Sequence, residues 1–187
     1  MARTKNVYLS KEFLSICFIN FVLTLGQFMA NTLLPKYADS LGATATVVGV
    51  VSSIFSITSL IMKPISGPAV DAFKRKGILF GGSILLLVAF AGYSMANTLE
   101  LLIVFRLIHG LAVGITVITC LSIVSDILPE KNLSAGIAYY SMVQALATAV
   151  GPGIGLNLAR RIGYSATFLI GFGLIVPSCI CILLLKV

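Results

Sequence analysis

Charge is what this sequence has least of. Only 10% of its 187 residues are Asp, Glu, Lys or Arg, against about 25% in a soluble domain. The six acids, Glu12, Asp39, Asp71, Glu100, Asp126 and Glu130, all stand near the ends of long apolar runs or between them. Together with 58% hydrophobic residues and a mean hydropathy of +1.07, this excludes an ordinary soluble core and indicates a polytopic membrane protein. Cysteine is sparse as well. Cys17, Cys120, Cys179 and Cys181 fall inside apolar runs, without disulfide-framework or zinc-site spacing, and read as small core residues. There is no phosphate loop, no catalytic triad and no cluster of metal ligands. An enzyme is therefore not expected, nor is a metal or an organic cofactor. A pI near 9.4 would suit a nucleic-acid binder, but the basic residues flank apolar runs, where they act as topology signals. No nucleic-acid partner is expected.

Six runs approach the ~20 residues needed to cross a bilayer: Phe13–Leu34, Thr44–Met62, Gly77–Ala96, Leu101–Ser122, Ser134–Leu158 and Tyr164–Leu185. Pro35, Pro64, Pro68 and Pro129 are expected near helix ends, whereas Pro152 and Pro177 fall inside spans and should bend them. The first run is too long for a signal-peptide core and lacks a clear cleavage site, so it reads as an uncleaved span. With the N-terminus in the cytoplasm, that side carries Arg3, Lys5, Lys11, Lys63, Lys74, Arg75, Lys76, Lys131 and Lys186, and the far side only Lys36, Arg160 and Arg161. This asymmetry predicts a cell-membrane protein with both chain ends cytoplasmic.

A repeat with an offset of 88 relates Pro64-x-x-Gly67 to Pro152-x-x-Gly155, Phe13 to Leu101 and Gly77 to Ser165. Three spans, approximately residues 1–98, are thus followed by three related spans, 99–187. An odd number per unit inverts the second unit in the membrane, an arrangement typical of secondary transporters. The alternative is chance similarity between glycine-rich helix ends.

Asn20, Thr24, Gln27 and Asn31 interrupt the first run at spacings of four, three and four. At about 100° per residue they share one face. Amides are costly in hydrocarbon unless they meet protein or water, so this face is expected to line a wet cavity. Ser52, Ser56, Ser59 and Lys63 align on the second span, and Ser141, Gln144 and Thr148 on the fifth. Hydroxyls can bond their own helix backbone; Gln144 is the stronger signal.

Three further segments carry recognisable patterns. Between spans two and three, Gly67-Pro68-Ala69-Val70-Asp71-Ala72-Phe73-Lys74-Arg75-Lys76 resembles the Gly-x-x-x-Asp-Arg-x-Gly-Arg-Arg/Lys pattern of the major facilitator superfamily. Gly67, Asp71, Arg75 and Lys76 match; Ala72 replaces Arg and Lys74 replaces Gly. A carboxylate beside three cations at a helix end suits an ionic latch, the alternative being a plain basic loop. In span four, Arg106-x-x-His109-Gly110 resembles the family's Arg-x-x-Gln-Gly motif, with His109 for Gln. Arg106 either serves the cavity or snorkels to the nearby helix end. His109 either does the hydrogen-bonding work of Gln or carries a proton. In span five, Ala147-x-x-x-Gly151-Pro152-x-x-Gly155 is similar to the family's antiporter motif. Small residues four apart let helices approach closely, either as a rocking contact or as static packing.

The resemblance implies an all-α membrane fold of six transmembrane helices in two inverted three-helix repeats, the first half of a twelve-helix transporter. It implies a cytoplasmic gate of Gly67, Asp71, Lys74, Arg75, Lys76 and Asp126, with Asp126 as the acidic partner, and a helix-bend motif of Gly151, Pro152 and Gly155. Asn20, Thr24, Gln27, Asn31, Arg106, His109 and Gln144 are the expected cavity residues. The implied activity is secondary transport of a small solute, as proton-coupled efflux powered by a proton gradient. The expected partners are the solute, the lipid bilayer, and either a C-terminal six-helix half or a second copy of the chain. A non-transporting membrane scaffold is the rival reading.

Overall fold

Hydrocarbon offers no partner to backbone N–H and C=O groups, so apolar runs cross it as helices that satisfy their own backbone. The structure, a computed structural model, describes residues 7–185; Arg3, Lys5 and Lys186 of the topology expectation lie outside the described residues. A 3-10 turn at Val7–Leu9 precedes α1 (Lys11–Ser40), α2 (Ala45–Ala72), α3 (Arg75–Met95), α4 (Leu99–Ile127), α5 (Glu130–Ile162) and α6 (Tyr164–Leu184). All six are long and apolar enough to cross a membrane. The hydroxyls of Ser10, Thr44 and Thr98 cap α1, α2 and α4 by accepting from the backbone N–H of Phe13, Val47 and Leu101, which serves donors left over at a helix start. Between α5 and α6 a single residue, Gly163, reverses the chain at φ +83°, where a side chain would be strained.

The helices run further than the apolar runs, and this corrects two expectations. Pro35 and Pro68 stand near the ends of α1 and α2 but inside them, Pro129 is at the start of α5, and Pro64 lies eight residues before the end of α2. Each proline inside a helix deletes one backbone bond, but the neighbouring residues have no better option than continuing the helix. The expected basic loop is accordingly helical through Ala72, with only Phe73 and Lys74 outside helices. Lys63 is no loop residue. It lies nine residues before the end of α2. Likewise α5 continues past Pro152 and α6 past Pro177 as single helices.

α1 packs chiefly on α5 and α6, α4 on α2 and α3, and α3 against α6. Exchanging α1–α3 for α4–α6 maps α1 with α5 onto α4 with α2, α1 with α6 onto α4 with α3, and α3 with α6 onto itself, as expected of two related units with opposite orientation. The largest buried side chains, including Phe90, Tyr93 and Phe168, fill the space where α3 and α6 meet α1 and α4. At one end of the bundle the Tyr37 hydroxyl donates to the Ala96 carbonyl and its ring stacks on Tyr164 at 5.0 Å. At the other end Asn132 donates to the Tyr8 hydroxyl at 2.9 Å, which holds the 3-10 turn against α5.

Two close approaches set the spacing. Gly110 and Gly114 of α4 press on α2, and Gly151 and Gly155 of α5 press on α1. A Cβ at Gly114 would stand 2.9 Å from the Ser59 carbonyl oxygen, and one at Gly155 3.3 Å from the Met29 Cα. The same packing problem is thus solved twice, once with glycines on the first helix of a unit and once with glycines on the second. We expect Gly114→Ala to destabilise the purified protein by about 1–3 kcal/mol, the usual range for overpacking. Gly81→Ala, where a Cβ meets nothing within 4 Å, should be neutral or slightly stabilising, because alanine favours helix. Thermal melts in detergent check the pair, and equal effects would contradict this packing.

Candidate functional site

α1, α2, α4 and α5 meet around a cavity of about 440 Å³. Its polar wall comes from Gln27 on α1, Ser56, Ser59 and Lys63 on α2, and Gln144 on α5, set against apolar patches that include Phe28 and Phe55. Hydroxyls elsewhere on these helices turn back to their own backbone, as Ser52 does to Val48 and Thr148 to Gln144. The side chains of Gln27, Gln144 and Lys63 make no hydrogen bond or ion pair among the described residues. These groups therefore face the cavity with their bonding capacity free.

The polar stripe of α1 does not act as one surface. Gln27 reaches the cavity. Asn20 and Thr24 are buried and bond each other at 3.3 Å, and with Gln27 and Thr116 they border a void of about 10 Å³, about one water in size. The Asn20 Nδ2 and the Asn31 Oδ1 are buried without a partner. The stripe extends about 16 Å along the axis, and over that length the neighbouring helices change.

Arg106 and His109 were expected on the cavity wall, and the structure places both inside the bundle. Arg106 is 3% exposed. Its Nε donates to the Val51 carbonyl of α2 at 3.1 Å, and its guanidinium sits 4.3 Å over the Phe55 ring, a favourable cation–π geometry. Its Nη1 has no partner. The guanidinium binds α2 and does not snorkel to the helix end. His109 is fully buried. Its Nδ1 lies 3.1 Å from the Tyr93 hydroxyl, and the rings of Phe55, Phe90 and Tyr93 surround it at 5.1–5.8 Å. Phe55 also lines the cavity, so its ring is the partition between this buried pair and the open space. The run of residues did not reveal Phe55 and Tyr93 as partners, because each lies on a different helix from the groups it serves.

At the end of the bundle where α2 meets α3, Arg75 forms an ion pair with Asp126 of α4. Asp71 is exposed, and with Lys74, Arg75, Lys76 and Asp126 it borders a cleft of about 690 Å³. Asp71 has no ion-pair partner among the described residues. Lys76 has a different task from its neighbours. Its Nζ donates to the Leu183 and Leu185 carbonyls at 2.6 and 2.9 Å, closing the C-terminus of α6 where acceptors are left over and the helix dipole favours a cation. Gly67 stands apart, with nothing within 4 Å of where a Cβ would be. Gly151 and Gly155 face α1, and half-buried Pro152 lies between them in an intact helix.

Comparison with known proteins places this architecture. The Major Facilitator Superfamily model matches residues 16–187. The chain is 26% identical over 152 residues to the quinolone resistance protein NorA of Staphylococcus aureus (strain N315), covering 81% of this chain and 39% of that protein. It is 29% identical over 140 residues to multidrug resistance protein 1 of Bacillus subtilis (strain 168), covering 75% of this chain and 36% of that protein. A crystal structure of a mutant peptide transporter POT in complex with alafosfalin has the same fold over 93% of this chain and 38% of that one, with a TM-score of 0.86 at 17% identity. The chain therefore spans less than two fifths of the length of these proteins. Six membrane-capable helices in two exchangeable triplets, together with the family match over nearly the whole sequence, show that the chain is a multi-pass membrane protein belonging to the Major Facilitator Superfamily.

Proposed function

We propose that the chain forms the N-terminal six-helix half of a secondary transporter that moves a small solute by alternating access, as proton-coupled efflux. The observation that carries this reading is the cavity of about 440 Å³ whose wall holds Gln27 and Gln144 with free hydrogen-bonding capacity. A static scaffold has no use for two unpaired amides at membrane depth, where each is costly unless water or a ligand serves it. Family membership supports the transport assignment, and the names of the relatives, quinolone and multidrug resistance proteins, support efflux of drug-like solutes. A second six-helix unit completes the cavity in this reading, and both ends of the described bundle lie in the cytoplasm of a cell-membrane protein.

The buried residues take supporting roles. Arg106 fixes α4 to α2 and so holds the cavity wall. His109 is shut behind Phe55, Phe90 and Tyr93 and does the bonding work of an amide. Proton coupling falls to a group in the second unit. Asn20, Thr24 and Asn31 line the path in a conformation that opens α1 more widely, and Gly151-Pro152-x-x-Gly155 is the contact on which α5 moves against α1. The Arg75–Asp126 pair with Asp71 closes the cytoplasmic side.

Replacing Gln27 and Gln144 together by leucine should lower efflux of a fluorescent drug about tenfold, at unchanged membrane abundance. Two lost hydrogen bonds at ~0.5–1.5 kcal/mol each account for that size. Unchanged efflux contradicts the assignment. The half-exposed Arg75–Asp126 pair is worth at most about 1 kcal/mol, so Asp126→Asn should shift the open-to-closed ratio about fivefold or less. We expect the exchange variant Arg75→Asp with Asp126→Arg to restore most of the wild-type rate. A rate no better than that of the single variant removes the pair from the gate.

A further inference from the structure

Lys63 is the cation on the wall of the four-helix cavity, and no carboxylate lies among the lining residues. It stands nine residues before the end of α2, about 14 Å along the axis, further than a lysine side chain extends. Its side chain is exposed and borders the cavity, and it does not extend to the end of its own helix. Pro64 follows it and has no N–H to offer the Leu60 carbonyl, and Leu60 borders the same cavity. That carbonyl is an acceptor for the ammonium but does not balance its charge. The other cation of the region, Arg106, is occupied with Val51 and Phe55 and lies behind the Phe55 ring. An unbalanced ammonium beside two free amides and two aromatic rings is a receptor for a particular chemistry. A charge-assisted bond to an anion is stronger than a neutral one.

We propose that Lys63 recognises an anionic group on the solute, so that the cavity takes a small organic monoanion such as an aromatic carboxylate. The carboxylate pairs with Lys63 and accepts from the Gln27 and Gln144 amides, while its apolar body lies against Phe28 and Phe55. This rests on the reading of the cavity as a solute site and adds the charge of the solute to it.

The test uses the complete transporter of the proposed function, with both six-helix units, purified in lipid nanodiscs, and three naphthalene probes of similar size: 1-naphthoate, 1-naphthalenemethanol and 1-naphthylmethylammonium. Their affinities are measured by equilibrium dialysis. In Lys63→Gln, naphthoate should bind at least tenfold more weakly, with the alcohol unchanged and the ammonium unchanged or tighter. Lys63→Arg should keep naphthoate affinity near that of the wild type. Retained binding of the alcohol reports that each variant is folded. Unaltered naphthoate affinity in Lys63→Gln, equal weakening of all three probes, or failure of arginine to restore naphthoate overturns the proposal. If the wild type binds the alcohol and the ammonium but not naphthoate, the charge assignment alone falls. If it binds none of the three, the solute-site reading falls with it.

Discussion

The guanidinium of Arg106, bonded to the Val51 carbonyl and seated on the Phe55 ring, ties α4 to α2 from inside the bundle, and the character of the cavity depends on that tie. A cation at membrane depth must find partners. Arg106 finds them on the neighbouring helix, away from the open space. Phe55 then serves two surfaces, as a platform for the guanidinium on one side and as an apolar wall of the cavity on the other. His109 is held in the same compartment by Tyr93. The cavity is thereby left with neutral amides, serines and one lysine.

The tie works because the backbones are already close. Gly110 and Gly114 bring α4 onto α2 near Phe55 and Ser59, and Gly151 and Gly155 bring α5 onto α1 near Leu25 and Met29. Neither contact has a hydrophobic driving force in lipid, where tails are as apolar as the side chains; tight packing of small residues replaces it. The two contacts are equivalents under exchange of the triplets, and between them they bring α1, α2, α4 and α5 around the cavity. α3 and α6 stand behind, joined by Phe90, Tyr93 and Phe168. Lys76 closes the end of α6, so one residue of the basic segment is structural while Arg75, beside it, pairs with α4.

The spans, the family and the amide positions Gln27 and Gln144 were legible in the sequence, because long apolar runs and isolated amides within them leave few physical options. The ends of α2 were not. Pro64 and Pro68 were expected near a helix end, yet α2 runs on through both to Ala72, since a helix in hydrocarbon persists through a missing bond when unravelling would expose many more. The apolar run stops at Met62, so Lys63 was counted with the cytoplasmic cations although it also aligned with Ser52, Ser56 and Ser59. Arg106 and His109 were legible as unusual residues, but not in their direction. Periodicity says which residues share a face of α4, and it does not say whether that face meets the cavity or α2 and α3. The stripe on α1 divides: Asn20, Thr24 and Gln27 border one small void, and of these Gln27 also reaches the larger cavity.

The central claim is that the space between α1, α2, α4 and α5 holds water at membrane depth. With Cys17, Cys120, Cys179 and Cys181 replaced by alanine, single cysteines at Ser56, Gln144 and, as the enclosed control, Ser83 of α3 can be exposed to a charged, membrane-impermeant thiol reagent in native membranes. The account predicts rapid labelling at 56 and 144 and none at 83. Absence of labelling at both cavity positions, or labelling at 83 as fast as theirs, would contradict it.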